Sequence, residues 1–271
     1  MAVVALLACS ASAGVKQGDI SFVVIGDIPE GRPKEPPWRV DFQQLIQTIA
    51  KLQPPPAFVV HVGDIVPNNQ PCKHEDLTDV FAVLSTLSNP LKSSVPKVPW
   101  VYVPGDNEWI DCGHAAKHEP PTPTKDYYED IYFPLEDVRD VFFRAPGSHD
   151  HEPNPTTHQE KPGDYPENQR WTLEGLPGLV FITVNLVSLG RTATATEEVE
   201  FVQRGRADQV WLREAEKSLP DAKGTIVIFA QAEIPGEVWG GGVILIRINR
   251  VRRARRMAHQ GLAVTMVSSV S

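Results

Sequence analysis

Long apolar runs and an excess of positive charge are both missing from this chain. Beyond the N-terminus, no segment reaches the roughly 18 consecutive apolar residues that a membrane-spanning helix requires. The formal net charge of −8 argues against nucleic-acid binding by the molecule as a whole. Cysteine is also scarce: of the three present, Cys9 lies near the N-terminus, and Cys72 and Cys112 alone are weak evidence for a disulfide framework.

The rest of the composition is typical of an ordered domain with long loops. Hydrophobic residues make up 41% and charged residues 22% of the 271 positions, which excludes wholesale disorder. The 25 prolines are about 9% of the chain, roughly twice the average, and favour ordered loops over a helical bundle. No segment has the composition of a linker, so we expect one large domain.

The N-terminal segment has features of an export signal. Ala2–Ala8 is an apolar run, and Ala11–Ala13 has the A-x-A pattern of a cleavage site. Leu6–Ala8 followed by Cys9 would also suit a lipoprotein, with Cys9 as the lipid-bearing residue. Residues 1–18 are therefore interpreted as the remnant of a signal peptide, which predicts a periplasmic or secreted protein. The alternative is that this segment is a buried strand or helix of the fold.

Apolar periodicity predicts strands that alternate with helices, as in βαβ units with a largely parallel sheet. The predicted strands are Ile20–Ile25, Ala57–Val62, Val98–Val103, Arg170–Leu173, Leu179–Val184 and Thr225–Phe229, and the predicted helices cover residues 40–52, 77–87, 125–133 and 197–219. The inner face of the first helix is assigned to Phe42, Leu45, Ile46 and Ile49, and that of the last to Val199, Val202, Val210, Trp211, Ala215 and Leu219. Residues 145–169 are predicted to form a long irregular loop.

Residues 236–271 belong to a different compositional regime. Between residues 247 and 271 there are six arginines and no acidic residue, so the net charge of −8 divides into +6 there and −14 over the rest. Such a run is typical of a solvated tail, and it would also suit a patch for nucleic acid or anionic lipid. A shifted reading frame or a wrong splice is a further interpretation. The predicted domain therefore covers residues 19–235, followed by an atypical Arg-rich tail.

Three of the predicted strands end in the same dipeptide. Gly26-Asp27, Gly63-Asp64 and Gly105-Asp106 each follow an apolar run. In an open α/β sheet, ligands bind at the carboxyl ends of parallel strands, and glycine there permits a sharp turn. Three carboxylates brought together would raise one another's pKa values unless a cation neutralised them. Oxygen ligands suit Mg²⁺, Mn²⁺, Fe or Zn²⁺, so the pattern predicts a metal site at Asp27, Asp64 and Asp106.

At these residues the sequence resembles the calcineurin-like metallophosphoesterases, whose motifs are D-x-H, G-D-x, G-N-H-[DE], a lone His and G-H-x-H. The stretch Pro104–Cys112 resembles an extracytoplasmic branch with G-D-N-E in the third motif, as do Glu167–Trp171 and Gln231–Glu233. The resemblance implies divalent metal ions, two in the family, bridged by Asp64 and held also by Asp27 and Asp106. It further implies a phosphoester substrate, with Asn107 and Glu108 orienting it or protonating the leaving group.

The chain also departs from the family pattern. Pro29 stands where the wider family has a metal-binding His, Asn107 replaces the catalytic His, and Gln231 stands where the lone His would fall. The terminal G-H-x-H is absent, because the only histidine after His158 is His259 in the atypical tail. Two-metal phosphoester hydrolysis needs both ions. A site that holds one ion or none would be slow or inert.

Histidines elsewhere in the chain are candidates for the missing ligands. His149 and His151 are two residues apart, a spacing that places both rings on one side of an extended segment. His158 is nearby, and His114 and His118 follow the third motif. For all five, a solvated loop position is the competing interpretation. His61, by contrast, is predicted to be a core histidine with satisfied hydrogen bonds rather than a ligand.

In an exported protein, the oxidising compartment would favour a bond between Cys72 and Cys112. Cys72 comes eight residues after Asp64 and Cys112 six residues after Asp106, so both would leave the same edge of the sheet. Two unrelated buried thiols are the alternative.

The sequence as a whole predicts an α/β fold, a metallophosphoesterase-like sandwich of central β-sheets flanked by helices, whose C-terminal part is incomplete. The predicted function is metal-dependent hydrolysis of a phosphoester outside the cytoplasm. The competing hypothesis is a degenerate domain of the same fold that binds without catalysis or has no function. A phosphorylated small molecule is the expected partner, with no nucleic acid and no membrane span, and with Cys9 as a candidate lipid anchor.

Overall fold

Two β-sheets carry the fold in the computed structural model of this chain. The described residues are 3–9, 20–29, 37–66, 73–90, 95–111, 132–161, 163–186, 195–220, 223–231, 242–249 and 264–267. Cys72, Cys112, His114, His118 and most of the helix predicted at residues 125–133 lie outside them. The Cys72–Cys112 bond therefore stays a prediction.

The first sheet has four strands in the order β1-β2-β3-β4. They are β1 (Val3–Cys9), β2 (Ile20–Gly26), β3 (Val59–His61) and β4 (Trp100–Tyr102). Strands β2, β3 and β4 run parallel to one another, as the alternating pattern predicted, whereas β1 pairs antiparallel with β2. The N-terminal segment thus forms an edge strand, the arrangement that the alternative to an export signal describes.

The second sheet has six strands in the order β10-β9-β8-β7-β6-β5. They are β5 (Thr156–Gln159), β6 (Tyr165–Thr172), β7 (Leu179–Thr183), β8 (Lys223–Ala230), β9 (Gly242–Asn249) and β10 (Val264–Val267). The predicted hairpin is present as the antiparallel pair β6–β7, and β7 runs parallel to β8. Strands β9 and β10 lie beyond residue 235, the predicted end of the domain.

The two sheets pack face to face, with helices on both outer faces. Between them lie aromatic side chains from both sheets; Phe58, for example, contacts Phe181 at 4.8 Å between ring centroids. Helices α1 (Pro37–Ala50), α2 (His74–Ser85) and α3 (Tyr132–Arg139) and the π-helical turn Asp140–Arg144 lie on the side of the first sheet. Helix α4 (Ala195–Ser218) covers the second sheet. This four-layer arrangement confirms the predicted α/β sandwich.

The buried face of α1 agrees with the apolar pattern in the sequence, whereas that of α4 agrees only in part. In α1, Phe42, Ile46 and Ile49 are buried, as their spacing predicted. In α4, Trp211, Ala215 and Leu219 pack on the sheet. Val199 and Val202 are 52% and 49% exposed, so their assignment to the inner face was wrong. The N-terminal half of α4 instead buries three polar side chains, Glu200, Arg204 and Asp208.

Residues 145–169 are also more regular than predicted, since they contain β5 and the start of β6. Strand β5 is a short polar segment at the sheet edge that pairs antiparallel with β6. Only that pairing makes it a strand, because no apolar run marks it in the sequence. In the described part of the chain, no helix is both long enough and apolar enough to cross a membrane.

Candidate metal centre

The three Gly-Asp turns meet at one edge of the first sheet. They follow β2, β3 and β4, which are parallel neighbours, so their carboxyl ends point the same way. The backbone N–H of Asp27 donates to the carbonyl of Gly63 at 3.1 Å. A Cβ atom on Gly63, whose φ is +88°, would lie 2.1 Å from the backbone nitrogen of Gly105, so the second and third turns touch and only glycine fits between them.

Two of the aspartates have unusual backbones. The φ angles of Asp27 and Asp64 are +55° and +56°, in the left-handed region that L-residues avoid. That conformation costs roughly 1–2 kcal/mol per residue. Strain of this kind persists only where the surrounding structure imposes it, and it is concentrated at functional sites. In this protein the strained backbone is found at Asp27 and Asp64, in the turns that follow strands β2 and β3.

Asp64 lies at the electrostatic centre of this edge. Burial raises its pKa, and the neighbouring carboxylates of Glu108, Asp106 and Asp27 raise it further, to about 9. The backbone N–H of Asn107, which donates to Asp64 Oδ1 at 3.3 Å, acts in the opposite direction and is too weak to offset them. The structure thus brings the three predicted aspartates into one electrostatic cluster. Their role as metal ligands stays a prediction.

Glu108 connects the second and third turns through hydrogen bonds. Its side chain is fully buried, and Oε1 accepts hydrogen bonds from the N–H of Ile65 at 2.7 Å and from the Tyr102 hydroxyl at 3.0 Å. Oε2 accepts from the N–H of Gly105 at 3.0 Å. Burial raises the pKa of Glu108 to about 7 against these donors. These contacts hold the second and third turns together, and the catalytic role of Glu108 stays a prediction.

Asn107 is held in a similar way. Its side-chain amide donates to the carbonyl of Val66 at 2.9 Å, and its side chain is largely buried. The third motif is therefore fastened to the loop after β3 by both Asn107 and Glu108. The predicted catalytic role of Asn107 is not tested by these contacts.

His61 occupies the core beneath the first two turns. Nε2 lies 2.6 Å from the carbonyl of Ile28, and Nδ1 accepts from the N–H of Gly63 at 3.2 Å. A carbonyl only accepts and an N–H only donates, so the ring is neutral with its proton on Nε2. Burial lowers the pKa of His61 to about 4, in agreement with that state. His61 is thus the satisfied core histidine that the sequence predicted.

Gln231 reaches the cluster from the second sheet. It follows β8, and its side-chain amide donates a short hydrogen bond to Asp64 Oδ2. Gln231 stands where the family that the sequence resembles has its lone His. At this position an amide, rather than an imidazole, therefore contacts Asp64. This contact brings the second sheet to the edge where the three turns meet.

The chemistry of this edge fits a divalent cation. Its carboxylates are hard oxygen donors, and the raised pKa of Asp64 reflects negative charges that a cation would neutralise. Nitrogen donors are few, because the only imidazole described at this edge, that of His61, is committed to backbone partners. Among the described residues, three ligand atoms lie within 4.8 Å of one another at a different place, His149, Glu152 and His158. The three aspartates share one edge but are not gathered within that distance.

Some contacts in the structure have no signal in the sequence. Nothing in the pattern of residues marks Glu152 as a partner of the histidines. Likewise, nothing in the spacing of Arg139 and Arg204 connects them to Glu167, although the structure buries all three together. Periodicity cannot find such contacts, since they join elements that are distant along the chain.

Comparison with known proteins identifies one family. The chain matches the family model described as calcineurin-like phosphoesterase over residues 20–251, which is most of its length and includes β2 to β9. No curated protein and no solved structure matches the chain.

Proposed function

Since the chain belongs to the calcineurin-like phosphoesterase family, we propose that it is a metal-dependent phosphoester hydrolase that acts outside the cytoplasm. The observation that carries the proposal is the half-buried Asp64, which shares its edge of the sheet with the carboxylates of Asp27, Asp106 and Glu108 and whose pKa is raised to about 9 by desolvation and by these neighbours. Carboxylates held this close together repel one another, and a bound cation would remove that repulsion.

Asp27, Asp64 and Asp106 would hold the cation. A divalent cation supplies Lewis-acid charge that activates water and stabilises a phosphoryl group. The chain's own contribution is to keep the carboxylates in place: His61 and Glu108 fix the backbone of the turns, and Gln231 orients Asp64. The identity and number of the metal ions belong to this proposal, with Mn, Fe, Zn and Mg as the candidates.

The proposed location depends on residues 1–18. Their apolar run and A-x-A pattern support export, and the Cys72–Cys112 bond would suit an oxidising compartment. Strand β1 offers the competing interpretation, because it pairs with β2 along its whole length. Acylation at Cys9 is part of the export proposal.

A second candidate is a domain of this family that binds a cation and phosphate without turnover. It is favoured by Gln231, whose amide contacts Asp64 where the resembling family has an imidazole, and by Pro29 in place of a ligating His. Such a site would still gain stability from a cation, but it would have too few nitrogen donors to hold two.

The experiment compares the purified full chain with Asp64→Asn and with Asp41→Asn, a matched control on the exposed side of α1. Thermal unfolding is followed with and without Mn²⁺, Zn²⁺, Fe²⁺ or Mg²⁺, and turnover of a chromogenic phosphate ester is measured in parallel. A cation at 100 times its Kd should stabilise the parent chain and the Asp41 variant by about 2.7 kcal/mol, and the Asp64 variant far less.

Turnover that depends on the cation and on Asp64 supports the hydrolase. Stabilisation without turnover supports the binding domain. Equal cation effects on all three proteins would contradict both.

A further inference from the structure

A second group of ligating side chains lies at the other end of β4, away from the aspartates. His149 and Glu152 are in the turn that follows the π-helical turn Asp140–Arg144, and His158 is in β5. Each offers one ligand atom, and these atoms all lie within 4.8 Å of one another. The two imidazole rings are 4.5 Å apart between centroids.

Glu152 provides the negative charge at the centre of this group. Its side chain is only 4% exposed, although it carries a carboxylate. Oε1 lies 3.0 Å from His149 Nδ1, and Oε2 lies 3.1 Å from His158 Nε2. A buried carboxylate is stable only when a cation or several donors compensate it. Both imidazoles therefore face one buried carboxylate.

His158 is oriented as a metal ligand usually is. Its Nδ1 lies 2.7 Å from the carbonyl of Pro166, which can only accept, so the proton sits on Nδ1. Nε2 is then the atom that faces Glu152. Histidines that bind metals almost always donate their other ring N–H to a carbonyl or carboxylate in this way.

Gln169 donates a hydrogen bond to the carboxylate of Glu152. Its amide Nε2 donates to Glu152 Oε1 at 2.7 Å, as the second shell of a metal site does. The Oε1 atom of the same amide is buried and has no hydrogen-bond partner among the described residues. The amide nitrogen of Gln169 is thus committed to Glu152, and its oxygen remains available to a donor.

The turn that carries these ligands is held by the first residue of β4. The ring of His151 stacks on Trp100 at 3.5 Å between centroids, and the backbone N–H of Trp100 donates to the carbonyl of His151 at 2.9 Å. Asp106 follows the opposite, carboxyl end of the same strand. The turn of the second group thus contacts the first residue of β4, whereas the aspartates follow the carboxyl ends of the strands.

We propose that His149, Glu152 and His158 form a second, separate site for a divalent transition-metal ion of the zinc class. Two imidazole nitrogens and one carboxylate oxygen are a ligand set that zinc accepts, with a fourth position for water or another ligand. His149 is 53% exposed, so that position opens to solvent on its side. The ion would fasten the turn at residues 147–152 to β5 at the edge of the second sheet.

The test measures zinc content by equilibrium dialysis against buffered Zn²⁺. The parent here is the full chain with Asp64→Asn and Asp106→Asn, which removes two of the three aspartates and leaves the second site intact. It should bind one zinc ion. His149→Gln and His158→Gln in this background should each weaken binding by at least about 100-fold, since losing a ligand costs more than losing its outer partner.

His74→Gln is the matched control, because His74 is also an exposed histidine beside a single carboxylate, that of Asp137. It should leave zinc binding unchanged. In the chain with all aspartates present, His149→Gln should lower the zinc content by one ion, which keeps the test valid if the double variant folds poorly. X-ray absorption should show two imidazole nitrogens at about 2.0–2.1 Å from the zinc.

A parent that binds no zinc, or histidine variants that bind it as tightly as the parent, would overturn the proposal and leave an ion-paired His-Glu-His cluster. Circular dichroism in EDTA checks that each variant is folded. Because two of the three aspartates are replaced in the dialysis parent, failure of this proposal is distinguishable from failure of the hydrolase proposal.

Discussion

Two carboxylates of this protein, Asp64 and Glu167, are desolvated to different extents and have pKa values shifted in opposite directions. Asp64 is half-buried in the turn after β3 among other carboxylates, and desolvation together with those charges raises its pKa to about 9. Glu167 lies in β6 and is fully buried. Burial alone would raise its pKa too, but the guanidinium groups of Arg204 and Arg139 outweigh burial and hold the pKa at about 2.

The difference lies in where the compensating charge comes from. Arg139 donates to both oxygens of Glu167, at 3.1 and 2.8 Å, and Arg204 donates to Oε1 at 2.7 Å. These cations come from α3 and α4, so the fold itself completes the pairing. At Asp64 the described partners are an amide, a backbone N–H and further acids. Glu167 is thus neutralised by the chain itself, whereas under the proposed function Asp64 would be neutralised by a bound cation.

The largest effect is expected at Glu167. Glu167→Gln leaves Arg139 and Arg204 buried without their shared anion, and breaking a buried ion pair typically costs about 3–5 kcal/mol. Urea unfolding at pH 7 measures the loss in the free energy of unfolding. Glu174→Gln, at an exposed position between β6 and β7, should stay within about 0.5 kcal/mol of the parent. If Glu167→Gln lowered the free energy of unfolding no more than Glu174→Gln, the two arginines would not depend on Glu167 for stability.

His61 tests whether neutral hydrogen bonds, rather than ion pairs, hold the aspartate turns. His61→Phe keeps the ring volume but leaves the carbonyl of Ile28 and the N–H of Gly63 without their partner. Each buried unpaired group costs about 1–3 kcal/mol, so a loss of this order is expected, together with weaker Mn²⁺ binding by calorimetry. The control is His74→Phe at an exposed position on α2. Unchanged stability and Mn²⁺ affinity would show that the turns do not depend on His61.

The pH dependence of Asp64 gives a smaller effect of defined sign. Its pKa is raised from 3.8 to about 9 in the folded state, so between those values the folded chain retains a proton that the unfolded chain has released. In EDTA, this group's contribution to stability therefore falls as pH rises, by about 1.4 kcal/mol between pH 6 and pH 7. Mn²⁺ should reverse the trend, because it favours the ionised form.

The measurement is the free energy of unfolding at both pH values with and without Mn²⁺. Asp64→Asn removes the titrating group, so its stability should change less over the same range. If the free energy of unfolding of parent and variant changed equally with pH, Asp64 would not be the source of the pH dependence.

Asp208, in α4, lies between the two extremes and is expected to have the smallest effect. Burial raises its pKa to about 7, against the Asn168 amide that donates to it at 2.8 Å. Asp208→Asn keeps an oxygen that can accept this bond, so a change within about 0.5 kcal/mol is expected near pH 4. As pH rises from 4 to 7 the variant should become the more stable protein, because the unfolded parent releases a proton that folded Asp208 retains, and above pH 7 the difference should level off. A large loss at both pH values would indicate that the carboxylate is needed.

Local pattern alone predicted much of this molecule. The three Gly-Asp turns, the parallel strands before them and the buried face of α1 follow from short-range periodicity and from the conformational freedom of glycine. The family and the α/β sandwich were inferred from the same motifs and are confirmed by the family match and by the two packed sheets. These features depend on residues that are close in sequence, so a single chain displays them.

The tertiary structure decided which polar groups meet. Val199 and Val202 have helical spacing yet face solvent, because the half of α4 that carries them turns Arg204 and Glu200 inward, where Arg204 pairs with Glu167. Strand β5 exists through its pairing with β6, and Glu152 joins His149 and His158 only where the turn before β5 folds against that strand. Charge pairing and edge pairing act through space between distant segments, and no periodicity in the sequence records which segments become neighbours.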